Sequence, residues 1–220
     1  MVSLVNADFR RGLMNLKKLQ QAERAFFNLY PGGFDDDALK HIGKRHNVGK
    51  LSEFAAENLT RKNFKQQAAV LDSISKIVSR SSMLSMFEKP KFRDYVNGLS
   101  RSDRTLLADG FNKLLHGNQQ TGFETIADIL LDGQLAKWSL MTICLYQLYP
   151  QQEVFVKPTT TKNVIRQFEL DHLTYHPRPT WQFYKDYREV INEMKSQVHP
   201  ALSPNNAAFT GFLMMSTAAS

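Results

Sequence analysis

The feature that most constrains the fold is a nearly continuous apolar segment in the second half of the chain. Residues 133–150 read GQLAKWSLMTICLYQLYP, and on a helix their apolar side chains would occur almost all the way round. A helix without a clear polar face must be covered by other parts of the protein. The segment therefore predicts a buried helix that ends before Pro150.

Most other segments also have the periodicity of helices. Apolar residues recur at spacings of three and four, most clearly over 8–29, 63–80 and 180–198. Only EVFVKP, at 153–158, alternates as a strand does. The sequence predicts a mainly α fold, an irregular multi-helix bundle with at most a small two-stranded β element near 153–157 and 173–175.

Capping residues predict where several helices begin. Asp8 would cap the first helix, and Ser100 would cap another with Asp103 three residues later. Thr160 or Thr161 would cap the helix that follows KP. A short helix is expected from Asp35 to about residue 46, and Asn205 or Asn206 would begin the last one.

The length and composition indicate one globular unit. The chain has 220 residues, 42% of them hydrophobic and 22% charged, which is enough to form a core without covalent cross-links. We expect a single integrated helical domain over 1–220, with possible lobes at 1–98 and 99–220. Cys144 is the only cysteine, so an intrachain disulfide is excluded, and its apolar neighbours predict burial.

The expected location is the cytoplasm of a bacterium, without membrane association. The first residues, MVSLVNADFRRG, lack the apolar stretch of a signal peptide. No apolar run reaches the roughly 18 residues that a membrane span requires.

Positive charge is concentrated in the first half of the chain. Residues 1–100 contain 17 basic and 10 acidic side chains, whereas residues 101–220 contain 11 of each. Residues 40–93 alone contain 12 basic and 4 acidic side chains, a balance of +8. This asymmetry favours a polyanionic partner such as nucleic acid, or an acidic protein surface, although an ordinary solvated basic face would have the same composition. The candidate nucleic-acid-binding residues are Lys44, Arg45, Lys50, Arg61, Lys62 and Lys65.

Residues 155–181 form a second candidate site, for an anionic small molecule. Lys157 precedes a proline and a run of threonines that begins a helix, whose unpaired amide groups favour an anion. Lys162 lies in the first part of that helix, and Arg178 stands between two prolines. Nearby aromatic rings could stack on a base or ring. The candidate ligand-binding residues are Trp138, Lys157, Lys162, Tyr175, Arg178, Trp181 and Tyr184. The same pattern also fits a capped helix beside core aromatic residues.

The familiar catalytic and metal-binding motifs are not present. GKRHNVGKLS has five residues between its glycines and a leucine after its lysine, so it does not match the phosphate-binding loop of nucleotide triphosphatases. His172 and His176 have helical spacing, but the following prolines disfavour a helix. The sequence predicts no metal and no cofactor, and leaves open whether the protein is an enzyme.

Three motifs in the second half define a resemblance. They are K-W-x3-T at 137–142, F-x-K-P-x2-T-K at 155–162, and Y-x-P-x-P-x-W-x2-Y at 175–184. On these motifs, residues 137–215 resemble an uncharacterised family of bacterial proteins, and FRRGLMNL…FFNLYPGGF is similar to the start of that family. PNNAAFTGF stands where the family has an acidic D-x-Q-S-F-type segment. The resemblance implies one integrated fold and brings no established activity.

Three functions therefore remain open from the sequence. The favoured one is a non-catalytic module that binds nucleic acid or another polyanion through residues 40–93. The second is a protein or enzyme that binds an anionic or nucleotide-like ligand at 155–184. The third is a protein-interaction scaffold. The oligomeric state and the identity of any ligand are not specified by the sequence.

Overall fold

The fold is mainly α-helical, as the sequence predicts. A computed structural model describes residues 14–39 and 48–218. Within these ranges there are three short 3-10 helices, Gly33–Asp35, Asn63–Lys65 and Pro200–Leu202, and no strand. The α-helices, numbered along the described chain, are α1 (Leu16–Leu29), α2 (Val48–Asn58), α3 (Gln67–Arg80), α4 (Glu88–Gly98), α5 (Arg101–His116), α6 (Gln119–Asp132), α7 (Trp138–Leu148), α8 (Pro158–Gln167), α9 (Trp181–Ser196) and α10 (Asn206–Ala218).

Helix α7 is the buried helix that the apolar segment predicts. Residues 138–147 are all buried, including Ser139, Thr142 and Gln147. Helices α2, α3, α5 and α6 all pack against it. The prediction of a buried helix over this segment is confirmed.

The strand-like segment after α7 does not pair with another strand. Val154, Phe155 and Val156 are buried, and the Val156 amide donates a hydrogen bond to the Thr142 hydroxyl at 3.1 Å. The amide thus finds a partner on α7 instead of on a neighbouring strand. Neither 153–157 nor 173–175 is a strand in the described structure, so the optional two-stranded element is not formed.

Several predicted helix boundaries are confirmed. The Ser100 hydroxyl accepts a hydrogen bond from the Asp103 amide (3.1 Å) at the start of α5, and Asn205 caps α10 through the Ala208 amide (2.9 Å). Helix α1 begins at Leu16 and is capped by Asn15, whose side chain accepts from the Lys18 amide, so the prediction of one unbroken helix over 8–29 is wrong at residues 14–15. The short helix expected from Asp35 is wrong over its described part, because Asp35 ends a 3-10 helix, Asp36 is extended and residues 37–39 form a turn. The predicted cap at Asp8, and residues 40–46 of that expected helix, lie outside the described residues.

Two other predicted boundaries are also wrong. Helix α8 begins at Pro158 with Lys157 as its N-cap, whereas Thr160 and Thr161 are buried within the helix. Proline is favoured at the first helical position because it has no amide hydrogen to leave unpaired there and its φ is already helical. The helix expected over 63–80 is interrupted, since the 3-10 helix at 63–65 precedes α3.

Contacts join the two halves of the chain. The Asn15 amide donates to the Phe168 carbonyl (2.8 Å), and the Ser52 hydroxyl donates to the Gln147 side chain (2.9 Å). Helix α1 also packs against α10. These contacts favour a single integrated domain, which stays a prediction. No helix in the described ranges has the length and apolar character needed to cross a bilayer.

Candidate functional site

The predicted nucleic-acid-binding residues lie around helices α2 and α3. Lys50 is in the first turn of α2, Arg61 and Lys62 are in the link that follows it, and Lys65 ends the intervening 3-10 helix. These four side chains are exposed. Lys44 and Arg45 lie outside the described residues.

An arginine stacked on a phenylalanine connects the two helices. The Arg80 guanidinium carbon lies 5.2 Å from the centroid of the Phe54 ring. Lys50 is one helical turn before Phe54 and shares its face of α2, because residues four apart lie above one another. Lys76 is likewise one turn before Arg80 on α3. The end of α3 therefore lies beside the middle of α2 at Phe54, and each helix carries a basic side chain one turn before this contact.

We use the term basic surface for the exposed basic side chains of residues 48–93. This segment contains nine basic and four acidic side chains, a balance of +5. One of the four carboxylates, that of Glu88, binds Lys137 from outside the segment at 3.0 Å. Within the part of the chain that the structure describes, five lysines of the basic surface form no ion pair with a carboxylate: Lys50, Lys62, Lys65, Lys76 and Lys91. Their charges are available to an external anion.

Arg61 differs from these lysines because it is held by the protein. Its guanidinium donates to the carbonyl of His116. The His116 ring in turn lies 2.6 Å from the Leu59 carbonyl through Nε2 and packs edge-on against Phe64. Arg61 therefore links the end of α5 to the turn after α2, and its replacement would disturb the fold as well as the charge.

The aromatic residues of the second candidate site belong mostly to the core. Trp138 is 1% exposed and Tyr184 is 0% exposed, and both pack against Phe123. The Trp138 Nε1–H donates to the His176 carbonyl at 2.7 Å. Trp181, partly buried, also packs on Phe123. Trp138 and Tyr184 thus present no ring face to a surface ligand in this structure.

The cations of the second candidate site remain exposed. Lys157, Lys162 and Arg178 all face solvent. The Lys162 ammonium lies 5.8 Å from the centroid of the half-buried Tyr175 ring, which itself contacts Trp138. The structure therefore brings together Lys162, Tyr175 and Trp138, and a small-molecule site at 155–184 stays a prediction.

A buried ion pair is the main polar feature that sequence reasoning missed. Both Glu153 carboxylate oxygens accept from the Arg188 Nη1, at 2.7 and 2.9 Å. Oε1 also accepts from Gln119 (3.0 Å), and Oε2 accepts from the Tyr184 hydroxyl (2.6 Å). The side chains of Glu153 and Arg188 are 6% and 18% exposed. The Arg188 guanidinium also lies over the Trp181 and Tyr184 rings, at 5.6 and 5.5 Å.

Two groups of this cluster, Tyr184 and Arg188, have raised pKa values. Burial, followed by the negative charge of Glu153 and the hydrogen bond to it, raises the pKa of Tyr184 well above its ordinary value. Burial opposes the charged form of Arg188, but the hydrogen bond and charge of Glu153, with smaller contributions from Tyr184 and Glu189, together raise the pKa of the guanidinium. The carboxylate is already bonded on both oxygens, so this cluster is suited to holding α9 against α6 and the segment after α7. The only sequence signal was a glutamate directly preceding the apolar residues VFV.

Metal coordination is not supported by the described residues. No group of three or more histidine, cysteine or carboxylate side chains among them is arranged to hold an ion. His172 and His176 are both exposed, in the link between α8 and α9.

No protein-family model matches the chain, and the searches of curated proteins and of solved structures gave no match either. The resemblance to an uncharacterised bacterial family therefore stays a prediction from the three motifs.

Proposed function

We propose that the protein is a non-catalytic module that binds nucleic acid through the basic surface of residues 48–93. The observation that carries the proposal is the set of unpaired lysines on and around the α2–α3 pair, next to the Arg80 side chain stacked on Phe54. Paired charges would have to break an internal contact before binding a phosphate, whereas these lysines would not. The sequence-based proposal of a bacterial cytoplasmic protein agrees with this function, because such a compartment contains both DNA and RNA.

Binding of this type gains most of its free energy from release of counterions. Each lysine that neutralises a phosphate displaces a condensed cation, so the affinity falls as salt is added. For a single strand, the slope of log K against log salt is about −0.7 for each phosphate contacted. The slope therefore gives the number of phosphates that the protein contacts, whatever the sequence of the nucleic acid.

The test compares two triple variants that each remove three exposed charges. Lys50→Gln/Lys62→Gln/Lys65→Gln alters the basic surface, and Lys157→Gln/Lys162→Gln/Arg178→Gln alters the second candidate site. Fluorescence anisotropy with labelled single strands and duplexes, from low to moderate salt, gives both the affinity and the slope. We expect the first triple to reduce the slope for a single strand by about 2, and the second to leave it unchanged.

Other results would support different functions. If the wild-type protein binds neither single strands nor duplexes at low salt, the proposal is wrong. If the second triple loses binding and the first does not, the anion site is at 155–184, and thermal stabilisation by small phosphorylated ligands should then depend on Lys157 and Arg178. An equal loss of affinity in both triple variants would indicate that the overall positive charge of the protein attracts the nucleic acid, and not a defined surface.

A further inference from the structure

The link between α3 and α4 carries the most exposed large apolar side chains of the described chain. Phe87 is 81% exposed and its neighbour Met86 is 74% exposed. Single exposed apolar side chains are common on protein surfaces, whereas neighbouring ones such as these can mark a contact with a partner. Phe87 stands directly before α4 and seven residues after Arg80, so it lies in the same segment as the basic surface.

The backbone around this ring is held in place, although the ring itself is in solvent. The Phe87 amide donates to the Ser85 hydroxyl (3.3 Å), and the Glu88 amide donates to the Ser85 carbonyl (3.1 Å). The Glu88 carboxylate is anchored by Lys137 at 3.0 Å and by the Ser139 hydroxyl at 3.2 Å. The exposed position is thus fixed by contacts on both sides of the residue.

The charges next to Phe87 favour an anionic partner. Lys89, half-buried, and Lys91, exposed, follow it within four residues, and neither forms an ion pair with a carboxylate. The two nearest carboxylates in sequence are already neutralised, Glu88 by Lys137 and Asp94 by Arg93 at 2.8 Å. An exposed aromatic ring beside unpaired lysines matches a partner that has flat apolar rings on a negatively charged backbone.

We infer that Phe87 is a stacking platform for an unpaired base, so that the protein prefers single-stranded nucleic acid. The inference rests on the proposed function, because the lysines of the basic surface must hold the phosphates on either side. Proteins that bind single strands combine a basic surface with exposed aromatic side chains, and a ring accepts any base. In a duplex the base faces are already stacked on each other and are closed to the ring.

The test uses three probes that share a phosphate backbone. They are a fluorescein-labelled thymidine strand of about 15 nucleotides, an abasic strand of the same length, and a blunt duplex. We expect Phe87→Ala to weaken binding of the thymidine strand by about 5- to 150-fold, which is the typical effect of losing one stacked base. Binding of the abasic strand and the duplex should be unchanged, as should the salt slope.

Three control variants make the result specific. Phe87→Trp keeps a flat ring and should keep the affinity of wild type. Leu29→Ala removes a similarly exposed apolar side chain (71% exposed) at the end of α1 and should have no effect on any probe. Because Phe87 is exposed, its variants should have the unfolding midpoint of wild type. Lys50→Gln/Lys62→Gln/Lys65→Gln should weaken all three probes.

The outcomes separate this inference from the proposed function. If Phe87→Ala binds every probe as wild type does, the inference is wrong and the proposed function stands. An equal loss of affinity for all three probes in Phe87→Ala also overturns the inference, because the ring would then contact the sugar-phosphate backbone that the probes share. Anionic lipid vesicles serve as a fourth probe. If Phe87→Ala loses binding to the vesicles that wild type binds, while its affinity for the thymidine strand is unchanged, Phe87 belongs to a membrane-binding surface instead. If wild type binds none of the probes, both ideas fail.

Discussion

Glu153→Ala provides the most stringent test of the structure described here. The substitution removes the carboxylate that accepts hydrogen bonds from Arg188, Gln119 and Tyr184, and it leaves the Arg188 charge without its partner. Removing one member of a buried ion pair costs about 3–5 kcal/mol. Because the Arg188 side chain keeps 18% exposure, we expect the lower end, about 3 kcal/mol.

Equilibrium unfolding in urea, followed by tryptophan fluorescence, measures this loss. With a slope of roughly 2 kcal/mol per molar urea, the midpoint should fall by about 1.5 M. Asp94→Ala is the matched control, since it breaks an ion pair of similar length (2.8 Å) whose side chains are 55% and 65% exposed. Solvent screens such a pair, so its loss should cost about 1 kcal/mol or less.

A double variant separates the charge from the packing. Glu153→Gln/Arg188→Met removes both charges and keeps most of the side-chain volume, so it should recover a large part of the stability that Glu153→Ala loses. If Glu153→Ala costs no more than Asp94→Ala, the Glu153–Arg188 pair is not the buried cluster that the structure shows, and the argument for its role in holding α9 is refuted.

Three further predictions concern packing and buried titratable groups. A Cβ at Gly122 would lie 2.6 Å from a backbone oxygen of α5, so Gly122→Ala should cost about 2 kcal/mol or more in unfolding free energy, whereas Gly98→Ala, with open space around it, should not destabilise. Burial raises the pKa of Tyr187 from 10.0 to about 12. The folded state therefore holds this proton more tightly, and the associated stability is complete below pH 10 and is lost as the pH rises towards 12. Tyr187→Phe should make the fall in stability over that range shallower by up to about 1.4 kcal/mol per pH unit in a urea-unfolding series. Burial also raises the pKa of Cys144 to about 12, so a thiol reagent at pH 8 should label it only after unfolding.

Much of the helical architecture could be predicted because its signals are local. The apolar composition of 138–148 is enough to predict a buried helix, and Ser100 with Asp103 is enough to predict a helix start. The boundary at Pro158 was missed because two rules competed at neighbouring positions. Threonines favour caps, but a proline one residue after Lys157 fits the first helical position better.

The candidate sites were harder to predict because they depend on contacts between distant segments. Glu153 and Arg188 are 35 positions apart, so their pairing is invisible in the sequence. Trp138 and Tyr184 have the residue types of a ligand pocket, yet both pack around Phe123 in the core. Sequence spacing cannot distinguish these cases, since an aromatic ring stacks equally well on a ligand or on another side chain.

The central claim is that the lysines around α2 and α3 form a surface for nucleic-acid phosphates. The most direct measurement is the salt dependence of single-strand affinity for wild type and for Lys50→Gln/Lys62→Gln/Lys65→Gln. We expect a steep negative slope for wild type and a slope that is smaller by about 2 for the variant. A wild-type protein without measurable binding at low salt, or a variant with an unchanged slope, would contradict the claim.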